Sequence, residues 1–181
     1  MRAIAILVCF AGLTANATTL RQLTVEEMAQ KSTAIVRVKV TGSNGIRYGT
    51  DVFTVYRFET LETVKRQNGA PLQEVGVPGG IAGGIRQVVA GAPVLRAGQE
   101  YILFLWTGRS GLAQLIGMSQ GLFAVEHTTA GDSIATRGMA GERMLDGAGH
   151  AARDEAVSMP WPELRAKVNQ ALKAGTVAAG R

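Results

Sequence analysis

The feature that most constrains the fold is a series of short apolar segments in the middle of the chain. In AIVRVKVTG, Val36, Val38 and Val40 alternate with Arg37 and Lys39, which is the period of a strand with one buried face. The segments LQEVGV, IRQVVA, EYILFLW, LAQLIGM and LFAVEH follow, each bounded by Gly, Pro or Ser. Because no helical pattern separates them, they predict an antiparallel sheet that closes into a barrel or a sandwich, and not βαβ units.

A hairpin is predicted at the start of this series. The segment DVFTVYRFETLETVK is rich in β-branched and aromatic residues, and it predicts one long, bent strand over 51–64. Asn44 and Gly45 come before it, and both residue types tolerate the positive φ of a tight turn. We therefore expect the two strands to pair, with the turn at these two residues.

Two helices are predicted to flank the strands. In LTVEEMAQKS, Thr24 and Glu27 have the spacing of a reciprocal capping box, which predicts a helix over 25–31. PWPELRAKVNQAL predicts an amphipathic C-terminal helix over 159–174 that can lie against the strands. Its apolar stripe recurs at helical spacing and comprises Trp161, Leu164, Val168 and Leu172.

The segment between the strands and the second helix has a different composition. Residues 129–158 are rich in Gly and Ala, and one weak strand over 133–137 is the regular structure that their pattern indicates. We expect a flexible segment here, with a mobile loop. The β-domain is therefore predicted to cover 18–128.

The N-terminus has the three-part layout of a secretory signal peptide over 1–17. Arg2 supplies the charge, 3–13 form an apolar run, and Ala15-Asn16-Ala17 is a small-x-small cleavage site. The run is too short to cross a bilayer, and no transmembrane segment is expected after cleavage. We predict a secreted or periplasmic protein that begins at Thr18.

Cysteine usage excludes several kinds of chemistry. Cys9 is the only cysteine of the chain and lies in the predicted leader. A mature chain without a thiol has no disulfide framework, no thiolate metal site and no cysteine nucleophile. Its stability must come from packing.

The chain is basic, with a formal net charge of +5. The charges are dispersed, so a solvated surface is expected and no nucleic-acid partner is predicted. Binding of an acidic polysaccharide is one alternative function. It would use the basic residues of the first two strands, which are Arg37, Lys39, Arg47, Arg57, Lys65 and Arg66.

The glycine-rich run PGGIAGGIRQVVAGAP is the main candidate site. Its spacing fits neither a Walker-type loop nor a dinucleotide fingerprint, and a strand pattern follows it where a helix N-terminus would be needed. We expect a folded-back lip between two strands. Its predicted binding residues are Gly79, Gly80, Gly83, Gly84, Arg86 and Gln87.

A second motif, GMSQG, fits the G-x-S-x-G pattern around Ser119, and Asp132 or Asp146 with His150 would complete the order of a hydrolase triad. A nucleophile elbow leads from a strand into a helix, whereas LFAVE after Ser119 predicts a strand. The motif therefore predicts a Gly-flanked bend. A serine hydrolase that uses Ser119 is the enzymatic alternative.

The sequence predicts no metal site and no cofactor. His150, Asp154 and Glu155 would share a face if their segment were helical, but they do not make a tetrahedral ligand set. The sequence has no H-E-x-x-H or H-x-H motif. His127, at the end of a predicted strand, is expected to be structural.

The order of several segments carries a family resemblance. KSTAIVRVKV, TLETVKRQNG, PGGIAGG, GAPVLRAGQEYILFL and IGMSQGLFAV resemble a group of uncharacterised exported bacterial proteins over about residues 20 to 127. That group in turn resembles the five-stranded OB-type barrel of the tissue-inhibitor-of-metalloproteinase and netrin-module superfamily. The resemblance implies an OB-like β-barrel of five to seven strands and a protein partner, with a protease as one candidate.

One departure from that superfamily changes the expected mode of binding. Its inhibitors resemble one another in an N-terminal cysteine that chelates the zinc of the protease, whereas this chain would begin at Thr18 without a cysteine. Any protease would have to be bound differently. We therefore predict an exported, non-enzymatic binding module that recognises a protein partner through the loops of its barrel.

Overall fold

The computed structural model describes residues 19–67, 71–139 and 143–179. The predicted signal peptide over 1–17, with Cys9 and the cleavage site behind Ala17, lies outside the described residues. The protein is mostly β, with 50% of the described residues in strands and 17% in helices. The prediction of a mostly β domain with two helices is confirmed.

Within the described ranges the strands are β1 (Thr19–Arg21), β2 (Ala34–Tyr48), β3 (Asp51–Arg66), β4 (Glu74–Pro78), β5 (Gly80–Ala82), β6 (Ile85–Gln87), β7 (Glu100–Thr107), β8 (Ala113–Leu115), β9 (Leu122–His127), β10 (Ser133–Arg137), β11 (Arg143–Leu145), β12 (Ala151–Ala152) and β13 (Val157–Pro160). The α-helices are α1 (Val25–Lys31) and α2 (Trp161–Ala179), and a 3₁₀ turn covers Met118–Gly121.

The main sheet of the described chain has eight strands in the order β13-β10-β9-β7-β2-β3-β4-β8. β8 also pairs with β7, so that β2, β3, β4, β8 and β7 form a complete cycle of strand pairings. The contact between β4 and β8 is parallel and joins Gly76 to Gln114, whereas the other pairings of the cycle are antiparallel. β1, β11 and β12 form a smaller sheet, and β5 pairs with β6.

The β2–β3 hairpin is longer than predicted, and its turn lies elsewhere. Asn44 and Gly45 lie inside β2, and the strands continue to the pair Tyr48–Asp51. The turn therefore falls at 49–50, where Gly49 has φ +63°, and the predicted turn at Asn44-Gly45 is wrong. Gly45 is needed for close approach instead, because a Cβ there would collide with the Ile81 carbonyl of the β5–β6 hairpin.

Helix α1 begins as its sequence predicts. Thr24 Oγ1 accepts a hydrogen bond from Glu27 N–H at 3.1 Å, and Glu27 Oε2 accepts one from Thr24 N–H at 3.1 Å. The capping box and the bounds 25–31 are therefore confirmed. Met28 and Ala29 are buried from this helix, which attaches it to the sheet.

The two faces of the sheet contribute to two separate apolar cores. One core contains Val36, Val38 and Val40 of β2 with residues of β3, β4 and β7. The other packs Ile35 and residues of β7 and β9 against α1 and α2. The predicted stripe of α2 is confirmed in this second core, where Trp161, Leu164 and Val168 are buried and Leu172 packs against them.

The segment 129–158 contains more regular structure than its composition indicates. The strand predicted over 133–137 is confirmed as β10, which pairs with β9 and with β13. β11 and β12 join β1 in the smaller sheet. The main sheet therefore continues past residue 128, where we placed the end of the β-domain, and α2 begins at Trp161 because 157–160 pair with β10.

The side chain of Gln120 connects the 3₁₀ turn to the N-terminal segment. It is 2% exposed, its Oε1 accepts a hydrogen bond from Leu23 N–H at 2.8 Å, and its Nε2 donates to the Arg21 carbonyl at 3.0 Å. Buried polar groups are costly when they lose their partners. Gln120 therefore holds the start of α1 against the sheet.

We expect Gln120→Ala to lower the free energy of unfolding by about 1–3 kcal/mol, since it leaves the Leu23 N–H and the Arg21 carbonyl without their partner. Urea unfolding monitored by circular dichroism measures this as a lower midpoint at an unchanged slope. Gln170→Ala, at an exposed position of α2, is the control and should change stability by less than about 0.5 kcal/mol. Equal midpoints for the two variants would contradict the structural role of Gln120.

Candidate functional site

The glycine-rich run forms a short hairpin. β5 and β6 pair through Gly80–Gln87, Ile81–Arg86 and Ala82–Ile85. Gly83 and Gly84 make the turn with φ +55° and +75°, the two positive φ values that a two-residue type I′ turn requires. The predicted folded-back lip between strands is present, and β6 follows it where a phosphate loop would need a helix.

Hydrogen bonds attach the base of this hairpin to β3. Gly79 N–H donates to the Val52 carbonyl at 2.7 Å, and Thr54 Oγ1 donates to the Gly79 carbonyl at 2.9 Å. Gln87 Oε1 accepts a hydrogen bond from Val52 N–H at 2.7 Å. Gln87, which we predicted as a binding residue, is therefore already engaged in holding the hairpin.

The hairpin and the segment after it enclose one side of a cavity of about 300 Å³. Tyr56 and Val77 of the neighbouring strands are buried and line it. Of the six predicted binding residues, Gly79, Gly80, Arg86 and Gln87 line the cavity, whereas Gly83 and Gly84 lie at the tip of the hairpin. The structure thus brings four of the six together, and among them Arg86 offers an exposed charged side chain.

Three aliphatic side chains that line this cavity were not predicted as site residues from the sequence. Ile81, Val88 and Val94 line it and are 66%, 80% and 74% exposed. The run IRQVVA predicted a strand, but β6 ends at Gln87, so Val88 lies outside it. Gly91 and Pro93 were the available signal, since they interrupt a strand pattern soon after Val88.

The GMSQG segment has the geometry of a bend. It forms the 3₁₀ turn and is followed at once by β9, whereas a nucleophile elbow continues into a helix. Gly117 and Met118 have φ +61° and +58°, so the chain reverses sharply ahead of Ser119. The bend predicted from the flanking glycines is present.

His150, the histidine that could have completed a Ser119 triad or a metal half-site, belongs to a local turn. His150 Nδ1 lies 3.4 Å from Asp146 Oδ2, and Asp146 Oδ1 accepts hydrogen bonds from the N–H groups of Ala148 and His150. β12 follows directly, so the helix that would align His150, Asp154 and Glu155 is not formed. In the described residues no three His, Cys, Asp or Glu side chains are placed to hold a metal ion.

Two of the basic residues proposed for polysaccharide binding make internal contacts. Arg37 Nη2 lies 2.7 Å from Glu100 Oε2. Lys65 Nζ donates to the Ala29 and Gln30 carbonyls near the end of α1 at 2.9 and 3.0 Å, and burial lowers the pKa of Lys65. The other four differ in exposure, with Lys39, Arg47 and Arg57 exposed and Arg66 half-buried.

Glu100 is the centre of a polar cluster at the start of β7. Besides its bonds from Arg37, its Oε1 lies 3.4 Å from His127 Nε2, and Ser133 Oγ lies 3.5 Å from His127 Nδ1. Burial raises the pKa of the Glu100 carboxyl. The hydrogen bond and the charge of Arg37, and then those of His127, lower this pKa by more than burial raises it, so the pKa lies below its ordinary value. The structural role that we predicted for His127 agrees with these contacts.

Comparison with known proteins gives no match to a protein-family model, to a curated protein or to a solved structure. The likeness to exported bacterial proteins and to netrin-type barrels stays a prediction from the sequence. In the part of the chain that the structure describes, neither helix is long and apolar enough to cross a membrane.

The glycines of the hairpin should differ in their tolerance of substitution. Gly80 has φ +125°, and a Cβ there would also collide with Thr54 Oγ1, whereas Gly84 has φ +75° and open space around it. We expect both substitutions to destabilise the protein because both φ values are positive, Gly80→Ala by more than about 1 kcal/mol and Gly84→Ala by a smaller amount than Gly80→Ala. Thermal unfolding of both variants measures this difference, and a larger loss for Gly84→Ala would be inconsistent with the hairpin described.

The Glu100 cluster predicts an acid-dependent stability. Because folding lowers the pKa of Glu100, its ionised carboxylate stabilises the folded state fully at a pH above 4.5, the ordinary pKa of the group. This contribution is lost as the pH falls through the lowered pKa. Urea unfolding between about pH 6 and pH 3 should therefore show a loss of stability that is smaller in Glu100→Gln. Glu126→Gln, at an exposed position of β9, is the control and should follow the wild type, and an unchanged acid dependence in Glu100→Gln would contradict the role of Glu100.

Proposed function

We propose that this chain is an exported, non-enzymatic binding module that recognises a protein partner with the cavity beside the β5–β6 hairpin. The observation that carries the proposal is the exposure of Ile81, Val88 and Val94 on one cavity. Aliphatic side chains scattered singly over a surface need no explanation, whereas exposed apolar residues that share a concave site are typical of an interface. Residues on a loop held by a rigid sheet are well placed for recognition.

An OB-like barrel is the architecture that we propose behind this site. Support comes from the cycle of pairings among β2, β3, β4, β8 and β7, since the OB fold is a five-stranded, partly open barrel. The single pair that joins β4 to β8 would be the open seam. Barrels of this type commonly bind ligands with strand faces and loops, which fits a site on the β5–β6 hairpin.

The chemistry of the cavity indicates what the partner presents. An apolar side chain of the partner would enter the cavity that Ile81, Val88 and the buried Val77 line. Arg86 on the same cavity would pair with a carboxylate next to that side chain, and Arg is a frequent anchor of interfaces. A protease is one partner to test, because of the resemblance to inhibitor barrels, and it would be bound without an N-terminal cysteine.

The test is capture of partners from the exported proteome by the wild type and by matched serine variants. Val88→Ser should reduce capture about tenfold or more, since it removes apolar contact from the proposed site, and its thermal unfolding should not change because Val88 is exposed. Ile85→Ser is the control, because Ile85 lies in the neighbouring β5–β6 hairpin and is 41% exposed but is not part of the cavity lining.

The specificity of this loss decides the proposal. Capture that falls in Val88→Ser and stays at the wild-type level in Ile85→Ser supports binding at the cavity. Capture of the same partners by all three proteins would overturn it. A photo-crosslinking residue at position 88 then identifies the partner and its contact surface.

A further inference from the structure

We propose that a second cavity, at the other end of the β2–β3 hairpin, binds a small organic anion through Arg66 and Arg109. The hairpin runs from the pair Ala34–Arg66 to the pair Tyr48–Asp51. The cavity beside β5 and β6 includes Thr54, near the second end, whereas a cavity of about 420 Å³ includes Ala34 and Arg66 at the first end. The inference does not depend on the proposed protein partner, because the two cavities share no residue.

The guanidinium of Arg66 has an unmet hydrogen bond. Its Nε is buried and has no hydrogen-bond partner among the described residues. A buried donor without a partner is costly, and a bound water or ion is one physical explanation for it. Arg137 Nε is also buried and unpaired, but the rest of that guanidinium is held by the Gln120 carbonyl and lies 5.2 Å from the Phe123 ring centroid. Of these two arginines, Arg66 is the one that lines this cavity, together with Arg109.

The charges around this cavity are of one sign. Arg66 and Arg109 both contribute to its lining, and no carboxylate does so among the described residues. Neither Arg66 nor Arg109 forms an ion pair in the described chain. The basic residues that pair with carboxylates there are Arg21, Arg37, His127, His150, Arg165 and Lys167. Two unneutralised guanidiniums on one cavity attract an oxyanion, because their planar N–H groups match two of its oxygens.

Local backbone structure places the second arginine and a hydroxyl at this site. Gly111 N–H donates to the Gly108 carbonyl at 3.1 Å, a β-turn that presents Arg109. Thr33 Oγ1 accepts from Thr107 N–H at 3.0 Å and lies 3.2 Å from the Leu105 carbonyl, to which it donates. Thr33 is thereby fixed, and Thr107 adds a hydroxyl to the lining.

The remaining lining indicates the size and character of the ligand. Pro71 and Leu72 lie on the cavity with Ala34, so the walls are apolar beside the two cations. A single phosphate ion would leave much of about 420 Å³ unfilled. We therefore assign the site to a small organic molecule with a phosphate, sulfate or carboxylate group, whose apolar part contacts Leu72.

The experiment follows the Arg66 Nε–H resonance of the purified ¹⁵N-labelled chain during titration with phenyl phosphate, phenyl sulfate and benzoate in chloride buffer. We expect a saturable shift with at least one probe. Arg109→Gln should lower the affinity for that probe about tenfold, which is the effect of losing one charge-assisted hydrogen bond. The substitution should leave the fold intact because Arg109 is exposed in a turn.

Arg57→Gln is the matched control, since Arg57 is an exposed arginine on the same strand as Arg66 and is not part of this cavity lining. Its affinity for the probe should equal that of the wild type. The probe that binds most tightly identifies the head group. No saturable shift of the Arg66 resonance with any probe, or an equal loss of affinity in Arg57→Gln and Arg109→Gln, would overturn the site.

Discussion

The burial of β2 and β7 on both faces is the constraint on which the rest of the structure depends. In β2, Val36 and Val38 enter one core and Ile35 enters the other, and in β7 Leu103 and Phe104 divide in the same way. The two strands pair through Val36–Leu103 and Ile35–Phe104. Because side chains alternate along a strand, a slip of one residue would exchange the two sets. This register therefore fixes the positions of the elements on both sides of the sheet.

The same register places the two cavities. Once β2 is fixed against β7, β3 follows its full length, through register shifts such as the one between Val40 and Gly42. Such bulges bend a strand and increase its twist. One end of the hairpin then presents Thr54 and Val52 to the glycine-rich run, and the other end brings Arg66 beside Thr33. Both cavities therefore lie at the ends of strands whose middles form the core.

The sequence predicted those parts of the fold that depend on local chemistry. Thr24 and Glu27 cap α1 because their reciprocal hydrogen bonds are formed within three residues of each other. The stripe of α2 is likewise visible from periodicity alone. Gly45 was misread because Asn-Gly is a strong local turn signal, whereas here the glycine makes room for the Ile81 carbonyl from another hairpin. β11 and β12 were not predicted, since strands of three and two residues depend on their partners.

In the candidate sites too, the features that depend on local sequence could be predicted, and those that depend on contacts between distant segments could not. The glycine-rich run was recognisable because positive φ is a local demand that glycine meets, but the engagement of Gln87 by Val52 N–H is a contact between strands. Arg66 and Arg109 are far apart in the chain, and no spacing rule connects them. They meet because Arg66 pairs in register with Ala34 at the end of β3 and Arg109 follows the end of β7.

The glycines and the side chains of the β5–β6 hairpin therefore have different functions. Gly79 and Gly80 have positive φ and lie against β3, where Thr54 and Val52 bind the same backbone. These glycines are needed for the hairpin to form at all, so their presence is explained by folding. The side chains of Ile81 and Val88 contribute little to the stability of the fold, because both are mostly exposed. A residue that the fold does not need and that faces a cavity is better evidence for recognition than the glycine pattern that first identified the segment.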